Sequence, residues 1–329
     1  MGVIRQLTLI VLERTSSVIS FFDSLNNLAI KEVSQKGSNY DALTEETPQE
    51  TFNRVNSRDR KLNSLNTGDK EILGSGAFGV VYKSHFNDLP CAIKEVFVKD
   101  DDAKKNIERE VKYLSQAIHK NIIELYGTVE DKDSKFGIAM EFADCGTLYD
   151  YIHNKKGDQM RSEYSDSTAL SWMCQLAEGL EYLHAMKPKP IIHRDIKTKN
   201  LLLTDNYRVL KIADFGTTRE QATLMTKDYV GTPEYMAPEI SVSFTYSEKS
   251  DVYSYGIVFW EVMSRKKPFY YLTNEEPLII MEKVTKGERP PIEDTKDLKN
   301  VRNLIEKCWD KNPEKRPSMH NLVSELSIL

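Results

Sequence analysis

Residues 191–216 hold four polar side chains at spacings that suit chemistry on a phosphate. Asp195 is followed by Lys197 two residues on and Asn200 five on, and Asp214 closes the strand–turn–strand segment that comes next. Asn200 and Asp214 are hard oxygen donors, the type Mg²⁺ takes when phosphate oxygens complete its coordination. Asp195 is left to accept a proton from a hydroxyl, with the Lys197 ammonium in the same loop. Phosphoryl transfer asks for little more, because its catalysis is largely positioning and charge neutralisation.

Such groups need rigid elements on either side of a cleft. Upstream of the loop, Leu-Ser-Trp-Met-Cys-Gln-Leu-Ala-Glu-Gly-Leu-Glu-Tyr-Leu-His (170–184) is amphipathic and reads as a buried helix leading into it. Further back, Leu73-Gly74-Ser75-Gly76-Ala77-Phe78-Gly79 contains Gly-x-Gly-x-x-Gly. Dinucleotide-binding folds use the same glycines, but they open a helix there. Here Val80-Val81-Tyr82-Lys83 continues as a strand, and a second strand, Cys91-Ala92-Ile93-Lys94, ends in a lysine. The glycines therefore fall in a hairpin whose backbone can close over phosphates with no Cβ in the way. Residues 101–118 read as a helix with Ile107, Val111, Leu114 and Ile118 on one face. It offers Lys94 two acids, Glu108 and Glu110, which periodicity does not separate.

The whole chain sets outer limits. Its 329 residues carry a formal net charge of −5 and ordinary globular proportions, which argues against a nucleic-acid binder. Cys91, Cys145, Cys174 and Cys308 form no Cys-x-x-Cys and read as reduced thiols, which points to the cytoplasm or the nucleus. No apolar run approaches the ~20 residues of a membrane span. Near the N-terminus, Ile4, Val11, Val18 and Leu25 and a second column of Leu7, Phe21 and Leu28 fit a heptad broken at Arg14. We read there an amphipathic helix packed on its own domain, or a fortuitous pattern, rather than a helix that pairs with a partner or a second copy. Residues 37–68 have the composition of a flexible linker. Gln6 stands where a myristoylation motif needs Ser or Thr.

His193-Arg194-Asp195 with Asn200, then Asp214-Phe215-Gly216, then Ala237-Pro238-Glu239, resemble the protein-kinase superfamily in that family's order. The resemblance covers residues 67–329 and implies a bilobal α+β fold. A smaller, mainly antiparallel β lobe with one key helix (67–142) would precede a larger, mainly α lobe (143–329), with a hinge near 141–146. Residues 1–66 would be an N-terminal extension. The resemblance also implies ATP with Mg²⁺ (Mn²⁺ as a substitute) and the transfer of the γ-phosphoryl to protein hydroxyls. Carried over residue by residue, Asp195 and Lys197 are catalytic and Asn200 and Asp214 hold metal. Lys94, paired with Glu110, clamps phosphates beneath the glycine-rich segment of Leu73 to Gly79. Val81, Ala92 and Leu202 sandwich the purine, Met140 sits beside it, and Glu141 and Ala143 present backbone groups to its edge. Asp251 should anchor the catalytic loop, and Arg316 should pair with Glu239.

Lys197 and Gly231-Thr232-Pro233-Glu234-Tyr235 are similar to serine/threonine-specific members. Thr223, Thr226 and Thr232 are the candidate phosphorylation sites of an activation loop, with Arg194 placed to meet a phosphate. Many arginine-directed members carry Glu just before the metal-binding Asn. This chain has Lys199, so poor activity on Arg-rich substrates is expected. Tyr246-Ser247-Glu248-Lys249-Ser250-Asp251, Lys266-Lys267-Pro268-Phe269, Gly287-Glu288-Arg289-Pro290-Pro291 and Lys315-Arg316-Pro317-Ser318-Met319 resemble the tyrosine-kinase-like group. Within it they are similar to the transforming-growth-factor-β-activated MAP kinase kinase kinases. That implies MAP kinase kinases as protein substrates and an activating subunit on the kinase domain. The sequence ends soon after the last expected helix, so a C-terminal adaptor-binding tail is not expected. The rival reading is a catalytically weak kinase-fold scaffold in a signalling complex. Scaffolds of that kind usually lack one of Lys94, Asp195, Asn200 or Asp214, and this chain has all four.

Overall fold

In the computed structural model, the structure describes residues 71–76, 79–86, 89–97, 101–130, 135–154, 164–220, 231–243, 245–272, 277–295 and 298–328. The N-terminal extension of residues 1–66, with its expected helix and linker, lies outside these residues, as do Ala77, Phe78, Thr223 and Thr226.

The smaller lobe is a five-stranded antiparallel sheet in the order β1-β2-β3-β5-β4. Its strands are β1 (Glu71–Gly76), β2 (Gly79–Phe86), β3 (Leu89–Phe97), β4 (Leu125–Glu130) and β5 (Lys135–Glu141). Alternation along the strands divides the side chains between the two faces. One face buries Tyr82, Cys91, Ile93 and Ala139 in a small core of its own. On the other face, Val81 lies opposite Lys94, and Ala92 lies opposite Met140. That second face is half-buried, as suits the roof of a cleft.

Helix α1 (Asp101–Gln116) buries Ile107, Val111, Tyr113 and Leu114. It stops short of Ile118, which the sequence had placed on the buried stripe. Ile118 is 48 % exposed, and its N–H donates to the Tyr182 hydroxyl at 3.2 Å, so the chain has left the helix to turn toward Asn121. There the Asn121 amide nitrogen donates to the Leu210 carbonyl at 2.9 Å and ties this turn to the larger lobe.

The larger lobe is helical. It contains α2 (Leu148–His153), α3 (Asp166–Ala185), α4 (Pro238–Ser243), α5 (Glu248–Ser264), α6 (Pro277–Lys286), α7 (Lys299–Cys308) and α8 (Met319–Leu326). Helix α5 is buried along almost its whole length, including Tyr253, Phe259 and Trp260, and acts as the post on which the lobe is built. Each such apolar side chain contributes on the order of 1.5–3 kcal/mol through burial. Four short strands pair two by two: β6 (Ile191–Ile192) with β9 (Arg219–Glu220), and β7 (Leu201–Thr204) with β8 (Val209–Ile212). The catalytic-loop candidates lie between β6 and β7. The expected bilobal α+β architecture is the one observed.

Candidate active site

Asp195 is held from three directions. Lys197 Nζ donates to its Oδ2 at 2.7 Å, Asn200 Nδ2 to the same oxygen at 3.0 Å, and the Thr232 hydroxyl to Oδ1 at 3.1 Å. Lys197 Nζ also donates to Thr232 Oγ1 at 2.8 Å, closing a ring of three side chains. The loop backbone that presents them hangs from α5. Asp251, near the start of that helix and 1 % exposed, accepts the N–H groups of His193 and Arg194 at 2.9 Å each and contacts His184 Nε2 at 3.0 Å. Burial pushes the Asp251 carboxyl up, but His184 and these amides outweigh it and hold its pKa below the ordinary value. The anchoring offsets the cost of Arg194 at φ 75°, a left-handed conformation that arginine seldom adopts.

Across the cleft, Lys94 reaches down from β3. Its Nζ donates to both carboxylate oxygens of Glu110 on α1, at 2.7 and 2.8 Å, and to Asp214 Oδ1 at 3.4 Å. Of the two acids left open by periodicity, Glu110 meets Lys94, whereas Glu108 faces Lys104 at 3.9 Å. Burial alone would lower the Lys94 pKa, yet Glu110 and Asp214 hold it above the ordinary lysine value. Asp214 behaves conversely: burial raises it, while Lys94, His193 and Lys197 hold it below the usual carboxylate range. Both groups are therefore charged at neutral pH. Asp214 sits at φ 63°, ψ 75°, a left-handed residue just before Phe215, which is wholly buried against His193 with ring centroids 5.2 Å apart. That packing, and the contact of α1 with the turn at Phe215–Thr217, set Asp214 opposite Lys94.

Comparison with known proteins decides the family. Residues 68–326 match the family model described as "Protein kinase domain". This chain belongs to the protein kinase family. The kinase domain is 45 % identical over 254 residues to mitogen-activated protein kinase kinase kinase 7 of Drosophila melanogaster, covering 77 % of this chain and 36 % of that protein. It is 40 % identical over 261 residues to the Homo sapiens protein of the same name, covering 79 % and 41 %. It is also similar to the dual specificity protein kinase shkC of Dictyostelium discoideum, 38 % identical over 267 residues, covering 78 % and 50 %. The chain thus spans half or less of the length of these relatives.

The donor set of the kinase domain fits a divalent cation. Asn200 Nδ2 donates to the Asp195 carbonyl at 2.8 Å as well as to its carboxylate, which turns the amide oxygen, the atom that could bind a cation, the other way. Asp214 Oδ1 faces Lys94, leaving its second oxygen for a cation. Among the described residues, no three His, Cys, Asp or Glu side chains converge as a self-contained metal cage. Mg²⁺ bound with phosphates needs only one or two carboxylates from the protein.

The cleft walls follow from register. Val81, Ala92 and Met140 are half-buried on the inward face of the sheet. Leu202 is half-buried on β7 between Leu201 and Leu203, which are wholly buried. The segment between sheet and β7 is laced down: Cys145 N–H donates to the Leu203 carbonyl at 3.0 Å and Leu203 N–H to the Gly146 carbonyl at 2.9 Å. Ala143 lies in this crossing, half-buried. Glu141 is engaged through both its backbone and its side chain. Its N–H is committed to the Glu124 carbonyl at 2.9 Å and its carboxylate to Lys211 at 2.8 Å, so that N–H is closed to a ligand. At the mouth, Gly76 pairs with Gly79 to close the hairpin, while Leu73, Gly74 and Ser75 are exposed.

Two arrangements were not read from the sequence. Glu261 of α5 is wholly buried among His153, Thr198 and Tyr235. These residues are distant in the chain and follow no common period, so no sequence signal joins them. Arg109 of α1, Arg194 and Arg219 also lie near enough to feel one another's charge. Burial and the other two cations push Arg219 down to about 10, and burial with Arg194 lowers Arg109. Arg194 additionally lies over the Tyr246 ring at 4.0 Å. Only Arg194 was expected near a loop phosphate.

Proposed function

We propose that this chain is a serine/threonine protein kinase of the MAP kinase kinase kinase type, which transfers the γ-phosphoryl of ATP to hydroxyls of MAP kinase kinases. The observation that carries this reading is the placement of Lys94, which joins a sheet strand, a helix and Asp214 at a single ammonium opposite the Asp195 ring of hydrogen bonds. Asp195 orients the acceptor hydroxyl and takes its proton. Lys197, held to Asp195 and Thr232, offsets charge on the transferring group. Lys94, kept charged and fixed by Glu110, sets the phosphates, and the Gly76–Gly79 hairpin covers them. Val81, Ala92, Leu202 and Met140 take the purine, with Ala143 at its edge. Asn200 and Asp214 would hold a Mg²⁺ ion, which would supply charge neutralisation at the phosphates.

The cluster of Arg109, Arg194 and Arg219 supports activation by a phosphate on the loop that carries Thr223, Thr226 and Thr232. The charge of Arg194 is felt by both Arg109 and Arg219, so a phosphate on the loop would be attracted to this part of the surface. Thr232 is poorly suited to modification, because its hydroxyl is already shared with Asp195 and Lys197. We place the protein in the cytoplasm or nucleus, with an activating subunit on the kinase domain. The non-catalytic scaffold is not favoured, since every polar group of the transfer chemistry is present and oriented.

A phosphoproteomic comparison of cells expressing wild type and Asp195→Asn tests the reading. Activation-loop sites of MAP kinase kinases should fall in the variant. Unchanged phosphorylation at all such sites would rule out this substrate class.

A further inference from the structure

Three segments far apart in the chain meet beside the catalytic loop at one aromatic ring. Tyr149 lies on α2, just after the crossing between the lobes. Lys199 stands in the catalytic loop between Thr198 and Asn200, and Lys267 follows α5. Lys199 Nζ lies 4.8 Å from the Tyr149 ring centroid and Lys267 Nζ 5.3 Å from the same centroid. Both lysines are exposed, the ring is half-buried, and among the described residues neither ammonium makes an ion pair. Cations that stay exposed are held only weakly by a ring, and two like charges at one ring repel each other. An anion held between them would relieve that repulsion.

The acids of the neighbourhood are already engaged. Glu261, beneath the platform, is taken up by His153 Nε2 at 2.7 Å, Thr198 Oγ1 at 3.1 Å and the Tyr235 hydroxyl at 2.7 Å. His153 in turn packs on the Tyr149 ring, centroids 4.8 Å apart. Asp150, next to Tyr149, accepts from Thr147 at 2.7 Å on one oxygen and from Asn154 at 2.6 Å on the other. A basic substrate side chain arriving here would meet two cations and no unengaged carboxylate among these residues.

We infer that Tyr149, flanked by Lys199 and Lys267, forms a subsite for an anionic side chain, carboxylate or phosphate, next to the hydroxyl that this kinase phosphorylates. The inference rests on the kinase reading and adds the substrate class to it. Lys199 is the link to catalysis: it precedes Asn200, whose amide is bonded to Asp195, so an anion on the platform lies beside the acceptor in the cleft. These are specificity residues. They select the protein that presents the hydroxyl and take no part in the transfer itself.

Four peptides sharing one acceptor threonine and flanked by glutamate, phosphoserine, alanine or arginine are offered to the full chain. The glutamate or phosphoserine peptide, or both, should exceed alanine in kcat/KM by about 5- to 10-fold at low salt, with arginine below alanine. A gain for one anion only identifies it as the source, and either supports the subsite. The preference should shrink as salt is raised. In Lys199→Met/Lys267→Met, which keeps both aliphatic stems over the ring, the anion-to-alanine ratio should fall close to one. Lys199→Arg/Lys267→Arg should retain the preference. Equal use of all four peptides by wild type, or a preference that survives in the Met variant, overturns the subsite and leaves the kinase reading standing. Failure to label any peptide overturns both.

Discussion

Lys94 makes three donations in two directions: two to Glu110 and one to Asp214. A compact ammonium on a flexible stem can do this, whereas a planar guanidinium presents its donors in one fixed fork. Lys94→Arg keeps the charge and should still lower kcat/KM by about 100-fold or more. Steady-state kinetics at wild-type level would refute the assignment of Lys94. Asp251 gives a test in pH. Its folded pKa lies below the ordinary carboxylate value, so its contribution is fully present above the unfolded pKa of about 3.9 and is lost as pH falls through the folded value. The stability gap between wild type and Asp251→Asn in urea should persist at pH 5 and close below about pH 4. A gap that widens in acid would contradict the sign of the shift.

At the scale of elements, the hairpin of β1 and β2 depends on Gly79 at φ 139°. A Cβ there would lie 2.0 Å from the Glu95 carbonyl oxygen of β3, so the backbone itself must move. Gly79→Ala should raise the KM for ATP by about 10-fold and lower stability by about 1–3 kcal/mol, read by nucleotide titration and by urea unfolding. Unaltered values of both would remove this role. The hairpin was legible in the sequence because glycine spacing followed by β-branched residues leaves few alternatives. Helix α3 was legible in its middle but not at its start. Ser165 caps it by accepting the Thr168 N–H at 3.1 Å, a signal passed over in favour of the apolar stripe, so the helix begins four residues before the expected Leu170. Glu110 was legible only through family resemblance, because two acids on one helix differ by facing and their types are the same. The Glu261 network escaped altogether, and of the Lys199–Tyr149–Lys267 platform only Lys199 was read, as a cation unfavourable to Arg-rich substrates. They join loop and helix residues through tertiary contact, which periodicity does not encode.

The whole molecule relies on a few buried polar ties to keep its helices in register around α5. Arg316, 2 % exposed, donates to both oxygens of Glu239 at 2.7 Å each and to the Lys249 carbonyl at 2.8 Å. Losing one partner of such a pair strands the other, so Arg316→Met should destabilise by about 3–5 kcal/mol, measured by urea unfolding at neutral pH. A change below about 1 kcal/mol would mean the pair is not a structural tie. The same lobe carries Asp195 and Asn200, and the smaller lobe brings Lys94 to Asp214, so the proposed transfer needs both halves. The most direct measurement is transfer of label from γ-labelled ATP to a protein hydroxyl by the purified chain beside its Asp195→Asn variant. The account predicts label on serine or threonine with wild type and a loss of at least about 100-fold in the variant. Equal labelling by the two proteins, or none with wild type carrying a phosphorylated loop, would contradict it.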